Sequence, residues 1–234
     1  MRILVPSYGR AGFASTMVLM PSAQIVVPES QFDEYERWYS GRVIAIDDSK
    51  DGNVAKKRNA ILELIDDGEL FWMCDDDFLK AEAIKHGLVD DVEQLMESHY
   101  DLMQSAGSSF GGFSIYQDPV KYAEYAPFSF TKPSYGIVCV RKIAGVNYDT
   151  DLGRFEDVDY FLKTIHKGGK VLRDNRHYFH FQCNKDKKSD QVGGIDGDEN
   201  DYRKALDKLI KRWGPVIKVK DGKMMGINQP LLGV

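Results

Sequence analysis

The sequence predicts an α/β fold in which helices cover both faces of a mostly parallel sheet. Four short apolar runs lie within the first 74 residues, and segments with helical periodicity separate them. Such alternation is typical of strand–helix–strand units with parallel strands. The fourth run, 70–74, is apolar throughout, as expected for a strand buried on both faces. A chain of 234 residues is long enough for one large domain, and no linker divides it.

The elements of the N-terminal half follow from apolar patterning and from prolines. Pro6 ends the first strand and Pro21 stops the first helix, because proline cannot continue the backbone hydrogen bonding of either element. The predicted elements are strands at 2–5, 24–28, 42–46 and 70–74, and helices at 14–20, 31–39 and 54–64.

The C-terminal half is less regular. A helix at 156–166 has a clear apolar stripe and ends before Gly168 and Gly169. The other predicted elements are a helix at 90–103, an edge strand at 110–116, a surface excursion at 117–134, strands at 135–140, 170–173 and 178–181, a mobile loop at 184–200, a helix at 201–213 and a hairpin around Gly222.

The composition bears on membrane insertion, on the redox setting of the cysteines and on the distribution of charge. No apolar run approaches the roughly 18 residues of a membrane span. The three cysteines Cys74, Cys139 and Cys183 are widely spaced, which favours buried thiols in a reducing, cytoplasmic setting. The net charge is −5, yet residues 161–234 hold 16 Lys and Arg against 9 Asp and Glu. This asymmetry predicts an acidic centre with a basic rim, or simply two solvated faces of different composition.

Three consecutive carboxylates, Asp75, Asp76 and Asp77, follow the buried fourth strand. They repel one another, so either a divalent cation with oxygen ligands or exposure to water must stabilise them. Four other polar segments carry side chains that could bind a nucleotide diphosphate together with such a cation. These segments are Ser7–Arg10, Asp47–Asp48, Lys56–Asn59 and Gly153–Asp159.

The order of these motifs resembles nucleotide-sugar glycosyltransferases of the GT-A fold. Val5-Pro6-Ser7-Tyr8-Gly9-Arg10 resembles the strand that holds the nucleobase, and Lys57-Arg58-Asn59-Ala60 resembles the Arg-Asn helix. Cys74-Asp75-Asp76-Asp77 resembles the DxD motif. Phe155-Glu156-Asp157-Val158 resembles the Glu-Asp acceptor motif. The resemblance implies a single GT-A (Rossmann-like) domain with a small C-terminal helical and loop extension.

The resemblance also implies roles for individual residues. Asp157 is the expected general base with Glu156 beside it, and its place at a helix N-terminus predicts a lowered pKa and an ionised carboxylate. Mn²⁺ or Mg²⁺ is the expected cofactor, with Asp75, Asp77 and either His180, which we prefer, or His177 as ligands. The expected UDP-sugar contacts are Pro6, Ser7, Tyr8, Arg10, Asp47, Asp48, Arg58, Asn59, Asp75 and Asp76.

These assignments divide the chain by role. The expected GT-A core is 1–183, with the donor site in 1–80 and the acceptor and catalytic part in 106–183. Residues 184–234 then complete the same domain as a mobile loop, a basic helix and a tail.

A narrower resemblance is to the TET-associated glycosyltransferases, which are largely encoded by bacteriophages. It implies 5-hydroxymethylpyrimidine in DNA as the acceptor. Between an inverting and a retaining mechanism we prefer inversion, with Asp157 deprotonating the acceptor hydroxyl that attacks the anomeric carbon. Basic residues in the last third could track phosphates or form a solvated face. They are Lys185, Lys187, Lys188, Lys204, Lys208, Lys211 and Arg212. A surface glycan or lipid carrier is the alternative acceptor, and a non-catalytic nucleotide-sugar-binding module is the second alternative. The sequence leaves the sugar and the oligomeric state open.

Overall fold

A computed structural model describes residues 1–115, 125–182 and 199–228. Its strands are β1 (Ile3–Pro6), β2 (Gln24–Pro28), β3 (Val43–Ile46), β4 (Leu70–Cys74), β5 (Phe78–Ala83), β6 (Gly87–Leu88), β7 (Phe110–Ser114), β8 (Phe128–Ser129), β9 (Ile137–Arg141), β10 (Val171–Phe181), β11 (Ile217–Lys220) and β12 (Lys223–Ile227). Its α-helices are α1 (Ser15–Leu19), α2 (Phe32–Tyr39), α3 (Val54–Glu63), α4 (Val92–Ala106), α5 (Glu156–His166) and α6 (Glu199–Trp213).

The central sheet confirms the predicted α/β fold class. Across the described ranges its strand order is β3-β2-β1-β4-β9-β7-β10-β5-β6, with β8 paired to β10. The predicted parallel pairing holds for β3, β2, β1 and β4. Beyond β4 the sheet is mixed, because β9 runs antiparallel to both β4 and β7, whereas β7 and β10 run parallel. The sheet is therefore less parallel than the strand–helix alternation predicts.

Alternating side chains of the inner strands enter two separate apolar cores, one on each face of the sheet. In β4, Trp72 and Cys74 enter one core, while Phe71 and Met73 enter the other. The first core includes side chains of α2 and α4, and the second includes side chains of α3, α5 and α6. Burial on both faces explains why the β4 sequence is apolar throughout.

Two sequence-based predictions about strands are wrong. The segment predicted as an edge strand lies inside the sheet as β7, between β9 and β10. Glycine permits this, because a Cβ on Gly111 would lie 2.2 Å from the carbonyl oxygen of Leu172. The two short strands predicted at 170–173 and 178–181 are one strand, β10. Its register shifts between Asp174 and Tyr178, which interrupts the alternation that sequence patterning relies on.

The C-terminal helix and hairpin form as predicted. Leu206 and Leu209 of α6 enter the core that contains Phe161 of α5. The hairpin of β11 and β12 follows, with its turn at Asp221 and Gly222. In the part of the chain that the structure describes, no helix has the length and apolarity needed to cross a membrane.

Candidate active site

A cleft of about 850 Å³ opens at the carboxyl ends of β1, β2 and β4. Ligands of open α/β sheets bind at this end of the strands. The cleft brings together eleven of the predicted site residues, from five separate parts of the chain. They are Pro6, Ser7, Tyr8, Arg10, Asp48, Arg58, Asp75, Asp76, Asp77, Glu156 and Asp157. Asp47, Asn59, His177 and His180 are absent from its lining.

The middle carboxylate of the aspartate triad is buried. Asp76 accepts a hydrogen bond of 2.5 Å from Arg10 Nη1 and another of 2.5 Å from Ser7 Oγ. Tyr35 completes this cluster, since its hydroxyl lies 2.9 Å from Ser7 Oγ and accepts the backbone N–H of Arg10. Burial raises the pKa of Asp76, and the charge of Arg10 opposes that rise. Asp76 therefore anchors the loop that follows β1.

The outer carboxylates, Asp75 and Asp77, are more exposed to the cleft. The Asp75 side chain is 38% exposed, and Asp77 lies 3.6 Å from Arg10 Nη1. Two neighbouring carboxylates suit a hard cation such as Mg²⁺ or Mn²⁺, which commonly binds through one or two carboxylates together with phosphate oxygens. The donor set of Asp75 and Asp77 therefore fits a divalent ion shared with a diphosphate.

The structure does not bring the predicted histidine ligands to this pair. His180 Nε2 lies 2.6 Å from Glu82 Oε2, and His177 Nδ1 lies 3.3 Å from Asp174 Oδ2. Among the described residues, no group of three or more His, Cys, Asp or Glu side chains is arranged to hold a metal ion. For His180, strand alternation accounts for this, because its neighbour Phe181 lines the cleft while His180 does not.

Arg58 connects the aspartate triad after β4 to the start of α5. Its Nη2 donates to Asp75 Oδ1 at 2.9 Å, and its Nη1 donates to Glu156 Oε1 at 3.0 Å. The guanidinium also lies over the ring of Tyr148 at 5.6 Å. The sequence predicts Arg58 as a phosphate contact, whereas the buried side chain joins two carboxylates. Arg58 thus fixes the spacing between the aspartate triad and α5.

Asn59 and Asp47, both predicted donor contacts, are bound to the protein backbone outside the cleft lining. The Asn59 side chain accepts the backbone N–H of Tyr148 at 2.8 Å and donates to the carbonyl of Tyr148 at 2.9 Å. Asp47 accepts the backbone N–H of Ser49 and caps a short 3₁₀ helix. Asp48 lines the cleft and accepts the N–H of Ser30 at 3.0 Å. The contact of Asn59 with the backbone of Tyr148 cannot be identified from sequence spacing, because the two residues are far apart in the chain.

The acidic pair at the start of α5 faces the cleft. Burial raises the pKa of Glu156 to about 7, with Arg58 opposing the rise and Asp157 adding to it. Burial also raises the pKa of Asp157, again against the charge of Arg58. The lowered pKa that we predict for Asp157 from the helix N-terminus is therefore wrong in direction. The loss of hydration outweighs the helix dipole at this position.

Two members of the cleft are not predicted from the sequence, Lys57 as a buried cation and Asp51 as its partner. Lys57 Nζ lies 3.1 Å from Asp51 Oδ2, donates a short hydrogen bond to the carbonyl of Ser7, and lies 5.2 Å from the ring centre of Tyr8. Tyr8 is half-exposed and lines the cleft. Asp51 and Lys57 are six residues apart, so no helical pairing rule links them.

The predicted basic patch is only partly available to a partner. Arg212 donates to Asp159 Oδ1 at 2.7 Å and to Asp149 Oδ2 at 2.5 Å, and Lys208 donates to the carbonyl of Asp151 at 2.8 Å. Lys204 and Lys211 are exposed on α6. The other three predicted members, Lys185, Lys187 and Lys188, lie outside the described residues.

No protein-family model and no curated protein sequence matches this chain. Among solved structures, S. aureus TarS 1–349 superposes with a TM-score of 0.51 at 13% identity. The match covers 90% of this chain and 66% of the TarS chain, slightly less than two thirds. A UDP-glucose pyrophosphorylase complexed with UDP-glucose gives a TM-score of 0.44 at 10% identity, covering 90% of this chain and 98% of that chain. The T. maritima inositol-1-phosphate CTP transferase gives 0.43 at 12% identity, covering 81% and 92%. The likeness to TarS shows a shared α/β fold with a large central sheet.

Proposed function

We propose that this protein is a glycosyltransferase that moves a sugar from a UDP-sugar to a hydroxyl acceptor with the help of a divalent cation. The observation that carries the proposal is the juxtaposition in one cleft of Asp75 and Asp77 with Glu156 and Asp157, joined by Arg58. Carboxylates on both sides of a cleft at the strand ends suit a donor with a metal-bound diphosphate and an acceptor hydroxyl.

The nucleoside half of the donor has candidate contacts at the end of β1. The exposed part of the Tyr8 ring can stack on a base, and Lys57 Nζ lies 5.2 Å from the centre of that ring. Asp48 and Asp51 line the same part of the cleft and can accept hydrogen bonds from ribose or base. This part of the proposal accounts for a buried lysine beside an exposed tyrosine.

The diphosphate lies next to Asp75 and Asp77 in this proposal. These two carboxylates would hold Mn²⁺ or Mg²⁺, with phosphate oxygens and water as the remaining ligands. When bound, the cation stabilises the negative charge that develops on the departing UDP. Asp76 remains bound to Arg10 and holds the loop after β1 in place. Arg58 holds Asp75 at a fixed distance from the start of α5.

On the acceptor side, Asp157 takes the proton from the attacking hydroxyl. Its raised pKa makes it a stronger base than an exposed aspartate. Direct attack by the activated hydroxyl inverts the anomeric configuration, which supports our preference for an inverting mechanism. Glu156 remains bound to Arg58 and holds the start of α5 against the cleft.

Incubation with UDP-sugars, manganese and hydroxyl acceptors tests the proposal, with product anomers identified by NMR. Asp157→Asn is expected to lower the rate by about 10²–10⁴-fold. Asp67→Asn serves as a control, because Asp67 is exposed and lies outside the cleft. Undiminished transfer by Asp157→Asn would refute the role of Asp157 as base.

For the acceptor, we propose 5-hydroxymethylpyrimidine in phage DNA, following the resemblance to the TET-associated glycosyltransferases. Its support is the basic balance of residues 161–234 and the exposure of Lys204 and Lys211. Transfer to hydroxymethylated DNA that weakens with added salt, and no transfer to unmodified DNA, is the expected result.

A surface glycan or lipid carrier is the second candidate acceptor. The engagement of Arg212 and Lys208 within the protein and the net charge of −5 favour it. Transfer to free glycans or lipid-linked acceptors, with no binding to DNA at low salt, would select it. Thermal stabilisation by UDP and manganese without turnover on any acceptor would instead indicate a non-catalytic nucleotide-sugar-binding module.

A further inference from the structure

The residue before the candidate catalytic pair has an unusual backbone. Phe155 adopts φ 63° and ψ 16°, the left-handed region that bulky L-residues avoid. Glu156 and Asp157 follow at once and line the cleft. Such a conformation persists only where surrounding contacts hold it. The direction in which Glu156 and Asp157 point therefore depends on what holds Phe155.

A side chain of α6 packs against Phe155. The Tyr202 ring meets the Phe155 ring edge-on, with centroids 5.2 Å apart and planes at 70°. The guanidinium of Arg154 lies over the same tyrosine ring at 5.7 Å. The Tyr202 hydroxyl accepts the backbone N–H of Met224 at 2.9 Å, which ties the ring to the C-terminal hairpin. Tyr202 thus contacts both residues that lead into α5.

The C-terminal half of α6 is bound to the same region by ion pairs and hydrogen bonds. Asp159, fully buried on α5, accepts hydrogen bonds from Arg212 Nη1 at 2.7 Å and from Trp213 Nε1 at 2.8 Å. The second Arg212 nitrogen, Nη2, holds Asp149 at 2.5 Å. Lys208 Nζ donates to the carbonyl of Asp151 at 2.8 Å. The second half of the loop between β9 and α5, from Asp149 to Phe155, is therefore attached to α6 at several points.

We propose that α6 is a positioning element for the acceptor side of the cleft. Tyr202 holds Phe155 in its left-handed conformation, and Arg212 fixes Asp149 and Asp159 on either side of it. The inference rests on the proposed function in taking Glu156 and Asp157 as the pair that acts on the acceptor. It assigns Arg212 and Lys208, which are exposed but bonded to Asp149, Asp151 and Asp159, a structural role at the acceptor side instead of a role in binding nucleic acid.

Kinetics of full-length variants test the positioning role. Phe155→Ala and Tyr202→Leu are expected to lower kcat about tenfold with an unchanged KM for the UDP-sugar, because α6 contacts the acceptor loop. Tyr202→Phe keeps the ring and should retain most of the activity. Phe155→Gly should lose less than Phe155→Ala, because glycine adopts positive φ without strain. Equal losses in Phe155→Gly and Phe155→Ala, or a Tyr202→Leu defect confined to KM, would overturn the proposal.

Hydrogen–deuterium exchange supplies a readout that needs no turnover. In Tyr202→Leu, amides of residues 149–157 should exchange faster than in the wild type, and Arg203→Gln, an exposed α6 variant, should leave them unchanged. Unchanged exchange in Tyr202→Leu would overturn the proposal. If the wild type shows no transfer, the proposed function fails, while the exchange result still decides whether α6 holds the loop.

Discussion

Arg10 and Asp76 form a buried ion pair, with Arg10 Nη1 2.5 Å from Asp76 Oδ1. This pair distinguishes Asp76 from its neighbours, because Asp76 is held in the interior by Arg10, whereas the Asp75 side chain is 38% exposed and bound to Arg58. Both partners are almost fully buried, at 7% and 8% exposure. The acidic run is therefore neither a wholly solvated turn nor a site in which all three carboxylates are equivalent.

Removal of one partner should destabilise the fold, because the other partner is left buried without an opposite charge. Arg10→Met is expected to lower the free energy of unfolding by about 3–5 kcal/mol, since it leaves the Asp76 carboxylate buried without its cation. Urea unfolding measures the change. Arg37→Met, at an exposed arginine of α2, should stay within about 0.5 kcal/mol of wild type. A similar, small effect in both variants would show that Arg10 does not stabilise Asp76.

Arg58 should matter for rate more than for donor affinity. Arg58→Lys keeps a positive charge but cannot bridge Asp75 and Glu156 with two nitrogens of one planar group. We expect kcat to fall about 100-fold, because the two sides of the cleft lose their fixed spacing. Steady-state kinetics with saturating donor measure it. Full activity in Arg58→Lys would mean that charge alone, and not the bridge, is required.

The raised pKa of Glu156 predicts a pH dependence of stability in the metal-free protein. The pKa rises from 4.5 to about 7 on folding, so the native state holds a proton that the unfolded chain releases. The stability from that proton is fully present below pH 4.5 and is lost as the pH rises through 7. Relative to Glu156→Gln, the wild type should lose on the order of 2–3 kcal/mol between pH 4.5 and 8.

Chemical unfolding at several pH values with a chelator present checks this dependence. Glu97→Gln, at an exposed position of α4, should follow the wild-type curve. Parallel curves for wild type and Glu156→Gln would show that Glu156 titrates normally in the folded protein.

Metal binding distinguishes the two-carboxylate site from one that includes a histidine. Asp77→Asn should weaken manganese-dependent UDP binding at least about tenfold. His180→Ala should leave it unchanged, because the His180 ring is bound to Glu82. Titration calorimetry with UDP and Mn²⁺ measures both. A loss in His180→Ala as large as that in Asp77→Asn would support the histidine ligand that the sequence predicts.

Tyr8 should act on donor binding. Tyr8→Ala is expected to raise the KM for the UDP-sugar about tenfold through loss of base stacking, whereas Tyr8→Phe should keep it near wild type. Tyr125→Ala provides the control, because Tyr125 is 93% exposed and lies outside the cleft lining. An unchanged KM in Tyr8→Ala would place the base elsewhere.

Local sequence determined the elements that depend on short-range patterning. The apolar run of β4, the stripe of α5 and the breakers at Pro6 and Pro21 suffice to predict their positions within a residue or two. The convergence of the loop after β1 and the aspartate triad also follows, because the carboxyl ends of neighbouring parallel strands meet at one edge of a sheet. The position of the start of α5 does not follow from this rule, since β9, the strand before it, runs antiparallel to β4.

Only the tertiary structure decided what each polar residue contacts. Arg58 and Asn59 are neighbours on α3, yet one joins two carboxylates and the other holds the backbone of Tyr148. The pKa of Asp157 is raised because burial there outweighs the helix dipole. Hydration and long-range partners are set by segments distant in sequence, so the spacing of residues along the chain does not encode them.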